Sequence, residues 1–118
     1  MTQTQSINST TQRWTTICPL DRILPNTGVC ALVNGQQIAV FRVGEGTEVY
    51  AIDNLDPFSK AYVLSRGIVG DRNGIPKVAS PIYKQNFSLL TGECLDDASV
   101  KIQTFSVRVV DGQVEICS

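Results

Sequence analysis

Asn34-Gly35 stands between two strand-like runs, Gly28-Val-Cys-Ala-Leu-Val33 and Gln36-Gln-Ile-Ala-Val-Phe-Arg-Val43. Both central residues of a two-residue hairpin turn need positive φ, which Asn and Gly adopt readily, so the pair predicts an antiparallel hairpin. Gly44-Glu-Gly46 makes a second turn, leading to Glu48-Val-Tyr-Ala-Ile52, and the three runs predict an antiparallel meander. The same logic closes the chain with Phe105-Ser-Val-Arg-Val-Val110, an Asp111-Gly112 turn and Gln113-Val-Glu-Ile116. There Phe105, Val107 and Val109 alternate with Ser106 and Arg108, as on a strand with one buried face. No segment has a sustained helical period with caps, although a short helical turn fits Pro19–Leu24. The fold class is all-β.

Composition narrows the function. At 118 residues the chain predicts a single domain, and a net charge of -1 gives no basic excess for nucleic acid. No aromatic and basic residues interleave into a stripe for stacking bases. The first dozen residues, MTQTQSINSTTQ, lack the basic start and apolar run of a secretory signal, and read as a disordered polar tail over 1–12. No run approaches the ~18 apolar residues of a membrane span. A cytoplasmic protein is expected. Cys18, Cys30, Cys94 and Cys117 form no close pair of the C-x-x-C kind, so they predict half-buried structural thiols rather than a zinc or cluster site.

Residues 54–78, NLDPFSKAYVLSRGIVGDRNGIPKV, interrupt this strand economy. The stretch is too long for a hairpin loop and too apolar for disorder, so it is expected to fold against the sheet or against a partner. A second loop, Ser80–Lys84, precedes the hairpin-like Phe87-Ser-Leu-Leu-Thr-Gly-Glu93. Residues 53–86 carry a net charge of +2, which leaves the remainder at -3. The loops are the basic part of a slightly acidic protein.

This order of features resembles the Rieske iron–sulfur fold over roughly residues 13–118. The resemblance implies an antiparallel β-sandwich or barrel. In that family the first loop carries C-x-H and the second C-x-x-H, two cysteines holding one iron and two histidines the other. The matching positions here are Asn54 and Asp56, then Ser80 and Tyr83. All four ligands are missing, and the chain contains no histidine. The runs DPFSKAYVLSRGIVGD and VASPIYKQNFSLLTGECL closely resemble the small-subunit family of assimilatory NAD(P)H-dependent nitrite reductases. That resemblance implies a cofactor-free accessory subunit. Its large-subunit partner would carry FAD, an iron–sulfur cluster and sirohaem and reduce nitrite to ammonium.

The residues themselves agree that the chain is non-catalytic. Without histidine, general acid–base work at neutral pH loses its usual residue. Asp53 and Asp56 read as turn-forming carboxylates, and Lys84, beside Gln85 and Asn86, lacks the desolvation a nucleophilic amine needs. No phosphate loop is present to hold a nicotinamide or flavin. The loops are therefore expected to hold a protein, through Phe58, Lys60, Arg66, Tyr83 and Lys84. In a competing reading, Phe58, Tyr62 and Ile82 plug the space of the lost cluster. Two other functions remain open: a free-standing β-domain that binds a small ligand, and a ferredoxin that uses the four cysteines.

Overall fold

A computed structural model describes residues 13–117. The expected polar tail over 1–12 and Ser118 lie outside the described residues. The described residues form eleven strands: β1 (Trp14–Pro19), β2 (Thr27–Val33), β3 (Gln36–Arg42), β4 (Val49–Asp53), β5 (Leu55–Asp56), β6 (Ala61–Tyr62), β7 (Ile68–Arg72), β8 (Ile75–Ala79), β9 (Asn86–Ser88), β10 (Thr104–Val110) and β11 (Gln113–Cys117). Six of them make one curled antiparallel sheet in the order β1-β11-β10-β4-β3-β2. A second sheet, β7-β8-β9, and the short β5–β6 pair complete the architecture. No helix among the described residues is long and apolar enough to cross a membrane.

The turn chemistry dictates this layout. Asn34 and Gly35 have φ of 52° and 80°, and Asp111 and Gly112 have 51° and 75°, so both expected two-residue turns are present. The meander β2-β3-β4 follows in register, from Val33 opposite Gln36 to Arg42 opposite Val49. The expected helical turn is a 3₁₀ turn at Leu20–Arg22. The long excursion folds against the sheet as expected, with Leu64 and Val78 buried, and much of it is strand. Asn73 and Gly74 have φ of 53° and 85° and join β7 to β8 as a third hairpin of the same type.

Two cores lie on opposite faces of the large sheet. Strand β3 feeds both. Ile38 and Val40 pack with Ile23, Ala31, Val33, Ala51, Val114 and Ile116 inside the curl. Ala39 and Phe41 face outward, where Ile52, Leu64, Val78, Phe87, Leu89, Cys94 and Ile102 cover them. A strand buried on both faces reads as a continuous apolar run, which is how Ile38-Ala-Val-Phe41 appears in the sequence. On β10 the expected alternation holds, with Phe105, Val107 and Val109 packed toward the inner core.

The second core fixes the loop region. A Cβ on Gly67 would fall 2.3 Å from the Ala79 carbonyl oxygen, so only glycine lets this segment meet the end of β8. That contact brings the excursion beside Ser80, where the second loop begins.

Candidate functional site

Two loops stand together at the end of the second core. The first leaves β4 at Asp53 and runs through β5 to β6, and the second joins β8 to β9. They share a sequence pattern: Asp56-Pro-Phe-Ser-Lys60 and Ser80-Pro-Ile-Tyr-Lys84.

They also share a backbone. The Lys60 N–H donates to the Asp56 carbonyl at 2.8 Å, and the Lys84 N–H donates to the Ser80 carbonyl at 3.1 Å. In each loop the first side chain accepts a bond from the backbone two residues on. Asp56 Oδ1 accepts from Phe58 N at 2.9 Å, and Ser80 Oγ accepts from Ile82 N at 3.3 Å. Asp, Ser and Pro initiate such turns because they supply a local acceptor and a preset φ. Each turn ends on a lysine with positive φ, 64° at Lys60 and 68° at Lys84. Side chains other than glycine rarely hold this conformation, at a cost of order 1 kcal/mol each.

The two turns are joined at their first residues. Ser80 Oγ donates to Asp56 Oδ2 at 2.5 Å, with both residues essentially buried. Burial alone would raise the Asp56 pKa. The bonds from Ser80, Phe58 and Ser59 outweigh it and hold the carboxyl below its ordinary value. The buried group is therefore a carboxylate with its charge met by hydrogen bonds.

Asn54 anchors the first loop from the other side. Its Nδ2 donates to Gln37 Oε1 on β3 at 3.0 Å, and its Oδ1 accepts from Ser65 N at 2.7 Å. Of the four positions that the resemblance puts at cluster ligands, Asn54, Asp56 and Ser80 are buried and bonded to protein, while Tyr83 is 58% exposed. These residues do not fit a [2Fe–2S] centre. None offers a thiolate or an imidazole, and a direct bond between Asp56 and Ser80 occupies the space between the loops.

The loop residues separate into two groups. Phe58 is half-buried, packed on the second core with its ring 6.1 Å from that of Phe87. Tyr62 and Ile82 are 54% and 43% exposed, so neither is buried as a plug between the loops. Between the loops stands a polar clamp, in which the Ser80 hydroxyl donates to the buried Asp56 carboxylate. Lys60, Arg66, Tyr83 and Lys84 are exposed, and Lys84 Nζ donates to the Pro81 carbonyl at 3.2 Å. The described ion pairs, Arg72–Asp96 and Arg108–Glu115, involve none of these cations. Asp53 and Asp56 both cap turns, with Asp53 Oδ1 accepting from Leu55 N at 3.0 Å.

The cysteines are all unbridged. Cys18 and Cys117 are half-buried and Cys94 is buried, as expected, but Cys30 is exposed on β2. Its sulfur nonetheless lies against Asn54 and Gln37, and burial raises its pKa. For Cys18 burial likewise raises the pKa, against the opposing pull of Arg22. Raised thiols are poor nucleophiles at neutral pH.

A Rieske-like [2Fe-2S] domain model matches residues 13–117. The chain belongs to this family. The chain is 46% identical to the nitrite reductase (NADH) small subunit of Salmonella typhimurium over 104 residues, 88% of this chain and 96% of that protein. A crystal structure described as an NADH-dependent nitrite reductase small subunit of Mycobacterium tuberculosis superposes with a TM-score of 0.86 at 47% identity. It covers 91% of this chain and 96% of that one. The chain is also 45% identical to part of the nitrite reductase [NAD(P)H] large subunit of Klebsiella oxytoca, over 86% of this chain but only 10% of that protein. The Rieske-like domain thus occurs both as a separate small chain and as a segment of a large one.

Sequence reasoning named the residues of both loops but missed their relation. The signal was the repeated spacing of Pro and Lys after Asp56 and Ser80.

Proposed function

We propose that this chain is the cofactor-free small subunit of a cytoplasmic NAD(P)H-dependent nitrite reductase and docks through its twin loops on the large subunit. In this reading the large subunit carries the FAD, iron–sulfur cluster and sirohaem and reduces nitrite to ammonium for assimilation. The small subunit supports that reaction without contributing a reacting group. One observation carries the proposal: two loops of a cluster-binding fold are clamped to each other by Asp56 and Ser80, and each presents a lysine. The likeness to a segment of the Klebsiella large subunit supports it, since a domain fused in one protein and separate in another commonly keeps the same neighbour.

The docking face mixes charge and apolar surface, as interface anchors do. Lys60, Arg66 and Lys84 supply charge, Tyr83 supplies an exposed ring, and Phe58 braces the first loop from below. Reversing both tip charges, Lys60→Glu with Lys84→Glu, is expected to weaken association with the large subunit about tenfold or more at low salt. The loss should shrink as salt screens the charges. Neither substitution changes the backbone demand, because lysine and glutamate share the same difficulty at positive φ. Tyr83→Ala should instead speed dissociation with little salt dependence. Titration of the purified pair decides the matter, and full affinity in the double reversal would place the interface elsewhere.

A further inference from the structure

The two outer edges of the large sheet differ in a way the loops do not explain. Edge strands expose unpaired backbone groups, and proteins usually blunt them with charges, proline or a bulge. Strand β1 follows the rule, with a register shift between Thr16 and Cys18 and Pro19 at its end. Strand β2 does not. Thr27–Val33 contains no charge and no proline, and it pairs with β3 in unbroken register over seven residues.

Its unused groups can be identified. A two-residue turn makes Val33 and Gln36 a hydrogen-bonded pair, so alternate residues of β2 turn their backbone toward β3. The Arg42 carbonyl accepts from Asn26 on the β2 side and the Gln37 carbonyl accepts from Asn54 on the β4 side, which fixes the same parity. The N–H and C=O groups of Gly28, Cys30 and Leu32 therefore point away from β3. None has a backbone partner among the described residues. The Leu32 side chain is 72% exposed. Alongside, a cleft of about 490 Å³ separates the two edges, lined by Ile17, Cys18, Pro19, Arg22, Val29 and Cys30. Arg22 belongs to neither described ion pair.

We infer that the open edge of β2 receives an extended segment of the large subunit by strand addition. This rests on the subunit reading given above. Backbone groups of the guest would pair with Gly28, Cys30 and Leu32, as in other edge-binding modules. Guest side chains of one parity would enter the cleft beside Val29, those of the other would cover Leu32, and an acidic residue would meet Arg22. The edge adjoins the first loop, because Asn54 bonds both Cys30 and Gln37. A guest strand would thus extend the proposed docking face rather than create a separate one.

Amide hydrogen exchange of the full chain, alone and bound to its cognate large subunit, tests the inference. Binding should slow the amides of Gly28, Cys30 and Leu32 at least tenfold and leave Val29 and Ala31, already paired with β3, nearly unchanged. Leu32→Lys and Arg22→Glu should each fold normally and weaken binding about tenfold or more. Wild-type affinity in both variants, or binding without the alternating protection, overturns strand addition and leaves the subunit reading intact. The same protection in the chain alone, with a doubled mass, assigns the edge to a second copy and overturns it too. No binding by the unaltered chain overturns both readings.

Discussion

Asp56→Ala is expected to lower the unfolding free energy by about 3 kcal/mol, measured by chemical denaturation at neutral pH. The substitution removes a buried carboxylate and leaves the Ser80 hydroxyl and the Phe58 and Ser59 amides without their acceptor. Asp56→Asn keeps the shape and one acceptor oxygen, so its loss should be smaller, about 1–2 kcal/mol. The acid limb of the stability curve separates charge from shape. In the folded protein the Asp56 pKa lies below the ordinary 3.8. Its contribution is therefore fully present above the unfolded value and is lost as pH falls through the lower folded one. Wild type should lose stability over that acid window, and Asp56→Asn should lose less. Equal acid slopes in the two proteins would mean that Asp56 is not a buried carboxylate.

Phe87→Ala should cost more, roughly 3–5 kcal/mol, because it removes a fully buried ring from the second core. Phe87 sits opposite Val78 at the base of the second loop, bridges to Cys94 and touches the Phe58 ring of the first. The substitution should loosen both loops as well as destabilise the chain. Phe58→Ala removes only a half-buried ring and should cost less. A denaturation midpoint for Phe87→Ala within error of wild type would contradict the packing described here.

How much of this was legible in the sequence depended on the range of the interaction involved. Asn34-Gly35 and Asp111-Gly112 announced their hairpins because a positive-φ turn is specified by its own two residues. Asn73-Gly74 carried the same signal, but the neighbouring Pro and Gly residues made 54–78 read as one irregular excursion. The alternation on β10 was legible because one of its faces is buried. Which loop side chains are buried was not legible from hydrophobicity. Ile82 is apolar yet exposed, whereas Asp56 and Ser80 are polar yet buried. That inversion comes from a contact between residues 24 apart in the chain, and no local pattern specifies it. The exposure of Cys30 has a similar origin, since the open edge of β2 follows from where the large sheet stops.

At the centre of this account is the claim that the two loops hold each other instead of a cluster. Iron analysis of the chain, produced in cells with active iron–sulfur assembly and purified without its partner, tests it most directly. The account predicts no stoichiometric iron and no visible absorption from sulfur-to-iron charge transfer, with a stability unaffected by chelators. Stoichiometric iron that is lost together with the fold on chelation would contradict it.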